Sequence, residues 1–500
     1  MLFRPDTGDL AAIGLNLSRV LLVIAAVMLI PAGLGFALGE TNDALSFVIS
    51  AGLAAIVGLI GELFLPRNID IDWQHGMMVA AIAWLVAPLF GALPLHLSGH
   101  YGNFLDAYFD AMSGFATAGL SVINDLDHLS NSVNLWRHLT HFLGGQGLML
   151  MALSLFAGGG GSVGMYVGEG REDRIVPNIH RTAQIIWRVA LVYAVIGVAM
   201  LTGALAAAGV SPVRSLYHAV NIFMAAFDTG GFTPTSAGIW MYHSWGVELV
   251  VGIFMIAGAL SFALHYHLWQ GRIGELWRNI ETRLLAVVIL GTFTVAAIGL
   301  LRTGTYDSVY QLLRRVLFHV VSAGSGTGFS NMPGRIFITD WGVLAPAAIV
   351  LAMGLGGMAG STAGGIKLIR LGLVGKAVSE QMRRLTLPRS AVTLQTYHSG
   401  TRQLLNDQVV RSALTILLLY LMLYMAGAGL GLFYGYTFDQ SMFESTAAGA
   451  NVALSIGIVG PSMPTGLEIA YILEMWIGRL EFVAVLALVG FVWSAYRGRV

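Results

Sequence analysis

The chain has 500 residues, of which 56% are apolar and only 11% charged, with no net charge. A soluble protein of this size needs more charge on its surface, a disordered chain far less apolar content, and a nucleic-acid binder a basic face; the composition therefore points to a polytopic membrane protein with no nucleic-acid partner. Cysteine is absent, which excludes disulfides and thiolate metal sites, and the 63 glycines suit closely packed membrane helices and backbone loops that face ions.

In chain order, the first apolar run, Leu10 to Leu38, is long enough to span a bilayer and lacks the layout of a cleaved signal. Further spans follow at 45–64, 75–97, 134–157, 184–209, 245–269, 283–301, 341–353 continuing to 378, 408–433 and 468–495, ten in all. Shorter half-apolar segments at 104–118, 214–230, 309–327 and 438–452 end in Gly, Thr and Ser clusters. They are too short to cross and read as re-entrant helices. With both termini inside, 19 of the 27 Arg and Lys residues fall on the cytoplasmic side, where 367–411 is the longest polar segment.

The re-entrant segments superpose. They end Gly114-Phe115-Ala116-Thr117-Ala118-Gly119, Ala226-Phe227-Asp228-Thr229-Gly230-Gly231, Ala323-Gly324-Ser325-Gly326-Thr327-Gly328 and Ala448-Gly449-Ala450-Asn451-Val452-Ala453. A polar residue nine positions before the last residue fixes the register in three of them (Asp110, His319 and Glu444), with Ile222 in the other. The spacings of 112, 97 and 125 residues fit a unit of membrane helix, pore helix, loop and membrane helix. The expected fold is an all-α polytopic membrane protein of four tandem repeats around a pseudo-four-fold pore, preceded by an extra transmembrane hairpin. Its divisions are 1–72 (hairpin), 73–180, 181–280, 281–405 and 406–500.

A bare alkali cation needs oxygens in place of its water shell, and four loops of backbone carbonyls around one axis supply them without a charged ligand. Glycine permits the φ > 0 geometry that turns successive carbonyls one way. The C-terminal end of each pore helix adds partial negative charge.

On these residues the chain resembles the Trk/Ktr/HKT superfamily of potassium transporters, and most the bacterial Trk-type membrane subunit. Met112-Ser113-Gly114-Phe115, Asp228-Thr229-Gly230-Gly231-Phe232, Gly357-Met358-Ala359-Gly360-Ser361-Thr362-Ala363-Gly364-Gly365-Ile366-Lys367 and Gly478-Arg479-Leu480-Glu481 carry the match, supported by Leu143-Gly144-Gly145-Gln146-Gly147 and Phe262-Ala263-Leu264-His265-Tyr266. The resemblance implies potassium uptake through a filter built of Thr117, Ala118 and Gly119; Thr229, Gly230 and Gly231; Gly326, Thr327 and Gly328; and Asn451, Val452 and Ala453. It also implies a homodimer with one pore per subunit in a bacterial inner membrane, and a cytosolic nucleotide-binding regulatory subunit of the Trk A type.

Two positions depart from the family pattern. Ala453 stands where glycine is expected, and left-handed geometry costs an L-residue roughly 1–2 kcal/mol, which weakens the case for strict potassium selectivity. A less selective K+/Na+ transporter or a cation symporter is the alternative. Asp228 replaces a small hydroxyl residue; it either concentrates cations or bonds nearby loop N–H groups.

The stretch Gly354–Gly365 interrupts an apolar helix with six glycines. Such backbone is tolerated at membrane depth where it is buried in protein or lines water. It reads as a gate formed by Gly356, Gly357, Gly360, Ser361, Thr362, Gly364, Gly365 and Arg479, or as a packing kink. Arg479, midway along the last span, either holds loop carbonyls and repels cations or pairs with Glu474 or Glu481. Enzyme readings are weak. Gly160-Gly161-Ser162-Val163-Gly164 matches G-x-S-x-G but has no strand before it, and neither H-E-x-x-H nor a Walker A sequence occurs. An organic-solute transporter with inverted repeats is disfavoured because all four units run in the same sense.

Overall fold

Long apolar runs form helices here because a membrane leaves the backbone no other partner than itself. The computed structural model describes residues 7–66, 72–123, 125–155, 162–170, 175–176, 178–306, 308–388 and 395–497. An N-terminal hairpin, α1 (Thr7–Leu38) and α2 (Thr41–Phe64), packs on α3 (Trp73–Leu97) and on α5 (Asn131–Gln146). Glu40, in the turn of the hairpin, accepts the N–H groups of Asn131 (2.8 Å) and Ser132 (2.9 Å) at the start of α5. Burial raises its pKa, but these bonds outweigh that and hold the carboxyl below its usual range.

The repeating unit follows. The first comprises α3, pore helix α4 (Phe104–Phe115), α5, α6 (Leu148–Leu155) and α7 (Ser162–Gly168). The second has α8 (Ile179–Ala207), pore helix α9 (Pro212–Phe227), α10 (Trp245–Ala259), α11 (Phe262–Trp269) and the short α12 (Glu275–Arg278). The third has α13 (Ile280–Thr303), pore helix α14 (Val309–Gly324), the short α15 (Ile336–Thr339), α16 (Leu344–Gly354) and α17 (Leu368–Thr386). A two-stranded antiparallel hairpin, β1 (Thr396–Ser399) and β2 (Thr401–Leu404), then leads to the fourth: α18 (Asp407–Phe433), pore helix α19 (Phe438–Ala450), α20 (Thr465–Arg479) and α21 (Val483–Arg497).

The pore helices start where the sequence caps them. Asn103 accepts the Asp106 N–H at 3.0 Å while Asp106 accepts the Asn103 N–H at 3.2 Å. Ser211 precedes Pro212 at the first position of α9, and Thr437 with Gln440 forms a capping box at α19.

Of the ten expected spans, the three inner helices read as continuous, at 134–157, 245–269 and 468–495, are corrected. Among the described residues six helices (α1, α2, α3, α8, α13 and α18) cross unbroken by length and composition. The inner helix of every repeat is interrupted: at Gly147 between α5 and α6, by a 103° bend between α10 and α11, by the loop 355–367, and by a 108° bend between α20 and α21. Hydropathy is continuous across the first, second and fourth of these breaks, so composition alone does not reveal those three. In the last, Glu481 and Phe482 both adopt left-handed backbone (φ 51° and 68°). Of the cationic residues assigned to the cytoplasmic side, Arg4, Arg67, Arg171, Arg174, Arg389 and Arg499 lie outside the described residues, as do Gly160 and Gly161.

Candidate functional site: four converging loops beside an arginine-bound segment

Each pore helix ends in the same hydrogen-bonded turn. The N–H groups of Ala118, Gly230, Thr327 and Val452 return to the carbonyls of Ser113, Ala225, Ser322 and Ala447 at 2.8, 2.8, 3.0 and 2.8 Å. The residue before each, Thr117, Thr229, Gly326 or Asn451, is left-handed, with φ of 54°, 50°, 82° and 56°. Two positions on, Gly119, Gly231 and Gly328 are left-handed again (65°, 79° and 86°). Alternation of handedness is the geometry that turns successive carbonyls to one side.

The fourth loop differs at Ala453, which is not among the left-handed residues. In the first three loops the glycine N–H points back to the pore helix (to Ser113 at 3.4 Å, Ala225 at 3.2 Å and Ser322 at 3.2 Å), whereas the Ala453 N–H donates to the Thr327 carbonyl at 3.4 Å. The steric cost of a left-handed alanine is thus avoided by rotating the peptide, and the ring loses its four-fold regularity there.

The loops close on one another. A Cβ added at Gly119 would lie 1.9 Å from the Gly230 oxygen and 2.4 Å from the Ala453 Cβ; at Gly231, 2.2 Å from the Thr327 oxygen and 2.3 Å from the Ala453 Cβ; at Gly328, 2.0 Å from the Ala453 nitrogen. Inner-helix glycines allow the pore-helix ends in: a Cβ at Gly144, Gly258 or Gly478 would meet the carbonyl of Phe115, Phe227 or Gly449 at 1.8, 2.1 or 2.0 Å.

The register markers turn out to be braces. Asp110 accepts from Tyr101 Oη (3.0 Å), Ser121 Oγ (3.1 Å), the Val122 N–H (3.1 Å) and Arg137 Nε (3.0 Å). His319 Nε2 lies 2.9 Å from Ser330 Oγ. Glu444 accepts from Ser455 Oγ (2.6 Å) and from the N–H groups of Ile456, Gly457 and Ile458. In each case the serine stands eleven residues after the marker, and Thr233 stands eleven after Ile222; that spacing was available in the sequence and marks the segment returning from the loop. The Arg137 guanidinium, held by Asp110, lies 4.0 Å above the ring of Phe232 in the next loop, linking repeats one and two. Asp110→Asn would leave this buried arginine uncompensated, at a cost of about 3–5 kcal/mol. A lowered thermal unfolding midpoint of the purified protein is expected, and an unchanged midpoint would contradict the brace.

Asp228 is buried, and its carboxylate accepts the side-chain amide of Gln146 at 2.5 Å, against Gly145 of α5.

Beneath the four loops lies the segment 355–367. The Thr362 hydroxyl reaches the carbonyls of Phe227 (3.0 Å) and Gly258 (2.9 Å) and the Thr229 hydroxyl (3.2 Å). Ala363 sits under Gly326, and Gly364 packs against Ala450 and Asn451. Gly360 and Gly365 are left-handed (φ 68° and 70°). Gly356 folds against the Gly364 carbonyl, and Gly357 lies beside Ala259 and the Ser361 hydroxyl. Glu281, which the sequence did not single out, accepts the N–H groups of Ala359 (2.7 Å) and Ile369 (3.1 Å) and anchors the segment from α13. Its only signal was an acid in the first turn of a span.

Arg479 donates to the carbonyls of Thr362 (2.7 Å) and Gly144 (2.5 Å) and to Thr117 Oγ1 (3.3 Å). The two glutamates weighed as its partners are engaged elsewhere: Glu474 with Ser445 at 3.1 Å, Glu481 with Lys367 at 3.7 Å and with Arg370. The space bounded by Ser361, Ala363, Gly364, Lys367, Arg479 and Glu481 is about 10 Å³, room for one water at most. Among the described residues no group of His, Asp or Glu side chains is arranged to hold a metal ion.

Residues 46–492 match the profile of the TrkH family, described as cation transport protein. An uncharacterized cation transporter of Methanocaldococcus jannaschii is 30% identical over 97% of this chain and 96% of its own length. The Trk system potassium uptake protein TrkH of Halomonas elongata is 30% identical over 70% of this chain and 72% of its own. The crystal structure of the potassium transporter TrkH from Vibrio parahaemolyticus shares the fold, with a TM-score of 0.80 at 23% identity, over 95% of this chain and 98% of that one.

Proposed function

We propose that this chain, which belongs to the TrkH family of cation transport proteins, carries potassium inward across a bacterial inner membrane; the name of its Halomonas relative gives potassium uptake for that protein. The reading rests on one observation above the rest: four pore-helix turns of like geometry meet at one place. In this reading the carbonyls of Thr117 and Ala118, Thr229 and Gly230, Gly326 and Thr327, and Asn451 and Val452 replace potassium's water, and Gly119, Gly231, Gly328 and Ala453 set their direction. The units 73–180, 181–280, 281–405 and 406–500 are the four quarters of the pore. The segment 355–367 is its plug and Arg479 the latch.

Both termini are cytoplasmic in this reading, which puts α12, α17 and the β1–β2 hairpin on the inner face. His398 on β1 pairs with Glu275 on α12 at 2.7 Å, making one platform of the hairpin and the end of repeat two. That platform suits a cytosolic nucleotide-binding regulatory subunit of the Trk A type, and the working unit is a homodimer with a pore in each subunit.

Purified protein in liposomes tests the proposal. Radioactive rubidium uptake is expected down its gradient with no ATP in the vesicle; transport of neither rubidium nor potassium would end the reading. The peptide rotation at Ala453 favours a second reading, a less selective monovalent cation transporter or a symporter. Ala453→Gly is expected to restore the missing turn and move the reversal potential in mixed potassium and sodium gradients toward the potassium equilibrium value. An unmoved reversal potential would show that Ala453 does not set selectivity.

A further inference from the structure

Behind the fourth pore helix lies a group of buried oxygens that the pore does not use. Glu468, Tyr471 and Glu474 stand three residues apart on α20, so they share one face of the helix and span about 9 Å along its axis. Glu468 and Glu474 are each 4% exposed and Tyr471 is fully buried. Glu468 Oε1, Tyr471 Oη, Glu474 Oε2, Ser441 Oγ and Glu444 Oε2 all lack a hydrogen-bond partner among the described residues. Native interiors rarely leave such groups orphaned; ordered water is the usual partner. At its outer end the row meets Asp106, in the first turn of α4, within hydrogen-bonding reach of Glu468. Tyr471 lies within the fields of both Glu444 and Glu474.

The inner end is shaped around a carboxyl. A Cβ at Gly427 of α18 would fall 1.7 Å from Glu474 Oε1, so only glycine leaves the space. Ser445 Oγ of α19 is 2.8 Å from the Tyr424 carbonyl and 3.1 Å from Glu474 Oε1. A hydroxyl has one proton. Given to the nearer carbonyl, it leaves the contact with Glu474 to be made by a proton on the glutamate. Among the described residues no cation neutralises the group. The elements packed on α20 present Tyr420 and Tyr424 from α18, Glu444 from α19, and Asp106 and Asp110 from α4, the last paired with Arg137. On α20 itself Arg479 is committed to Thr362, Gly144 and Thr117. An isolated carboxylate at this depth is so costly that the group takes up a proton instead.

We propose that Glu474 is a proton-binding site in the membrane interior, filled from the outer face along α20 past Glu468 and Tyr471 through ordered water. Loading moves one proton from hydronium to the carboxylate and leaves water behind. The site stands independently of the filter assignment, since its detection needs no ion flux. Infrared difference spectra of the full-length protein in oriented vesicles test it. The wild type is expected to show at neutral pH the carbonyl stretch of a protonated carboxyl that Glu474→Gln removes. Raising the outer pH alone should bleach that band, and Tyr471→Phe should slow the bleaching. Ser445→Ala, which deletes the partner, should shift the band to higher frequency, and it serves if the glutamine variant does not fold. A Glu474→Gln spectrum with the band intact, a band that answers only to inner pH, or a band unmoved by Ser445→Ala would overturn the proposal.

Discussion

Valine at Gly231 is expected to reduce rubidium uptake in proteoliposomes to the level of empty vesicles. Two effects act together. Gly231 has φ 79°, a conformation L-residues rarely hold and β-branched ones least. A Cβ there would also stand 2.2 Å from the Thr327 oxygen and 2.3 Å from the Ala453 Cβ, at the meeting point of the loops. No side chain nearby can swing away, because one of these neighbours is backbone and the other already the shortest side chain. Gly328, whose Cβ would meet Ala453 backbone at 2.0 Å, should behave alike. A variant that elutes from size exclusion as the wild type does, yet transports normally with either substitution, would remove the filter assignment.

Arg479→Ala is expected to do the opposite and raise the flux. The guanidinium joins three parts of the molecule: the plug at Thr362, the inner helix of repeat one at Gly144 and the first loop at Thr117. Hydrogen bonds from a charged donor contribute about 1.5–3 kcal/mol each, and 1.4 kcal/mol changes a population about tenfold. Loss of even one bond made only in the closed arrangement therefore increases the open fraction by roughly an order of magnitude. The fixed charge beneath the loops, which in the proposed pore opposes cation passage, disappears as well. Lysine at this position should fall between, since it keeps the charge but cannot bond the two carbonyls in the same fork. Unchanged or diminished flux at normal yield would count against the latch.

The broad architecture was legible because its causes are local. Half-apolar segments of pore-helix length preceding Gly and Thr clusters lie where α4, α9, α14 and α19 form, and the markers at Asp110, His319 and Glu444 gave the register. The breaks in the inner helices were hidden, apart from the glycine-rich third. A bend at Leu260 or Leu480 changes direction without changing hydropathy, and the left-handed Glu481 and Phe482 are not residue types that favour that conformation. The anchoring by Glu281 and the pairing of Glu481 with Lys367 and Arg370 were equally hidden. These partners come from different helices, and spacing along one chain carries no trace of which acid will face which base.

Among the described residues only the third quarter of the ring possesses a segment such as 355–367, yet that segment reaches beneath the second, third and fourth loops and is tied through Arg479 to the first. Four identical polypeptides arranged around an axis would each bring their own copy, and the copies would collide at the centre. Fusing the quarters into a single strand lifts that constraint. One quarter can thicken into an obstruction, another can supply the bolt that holds it, and the other two need keep only their share of the lining.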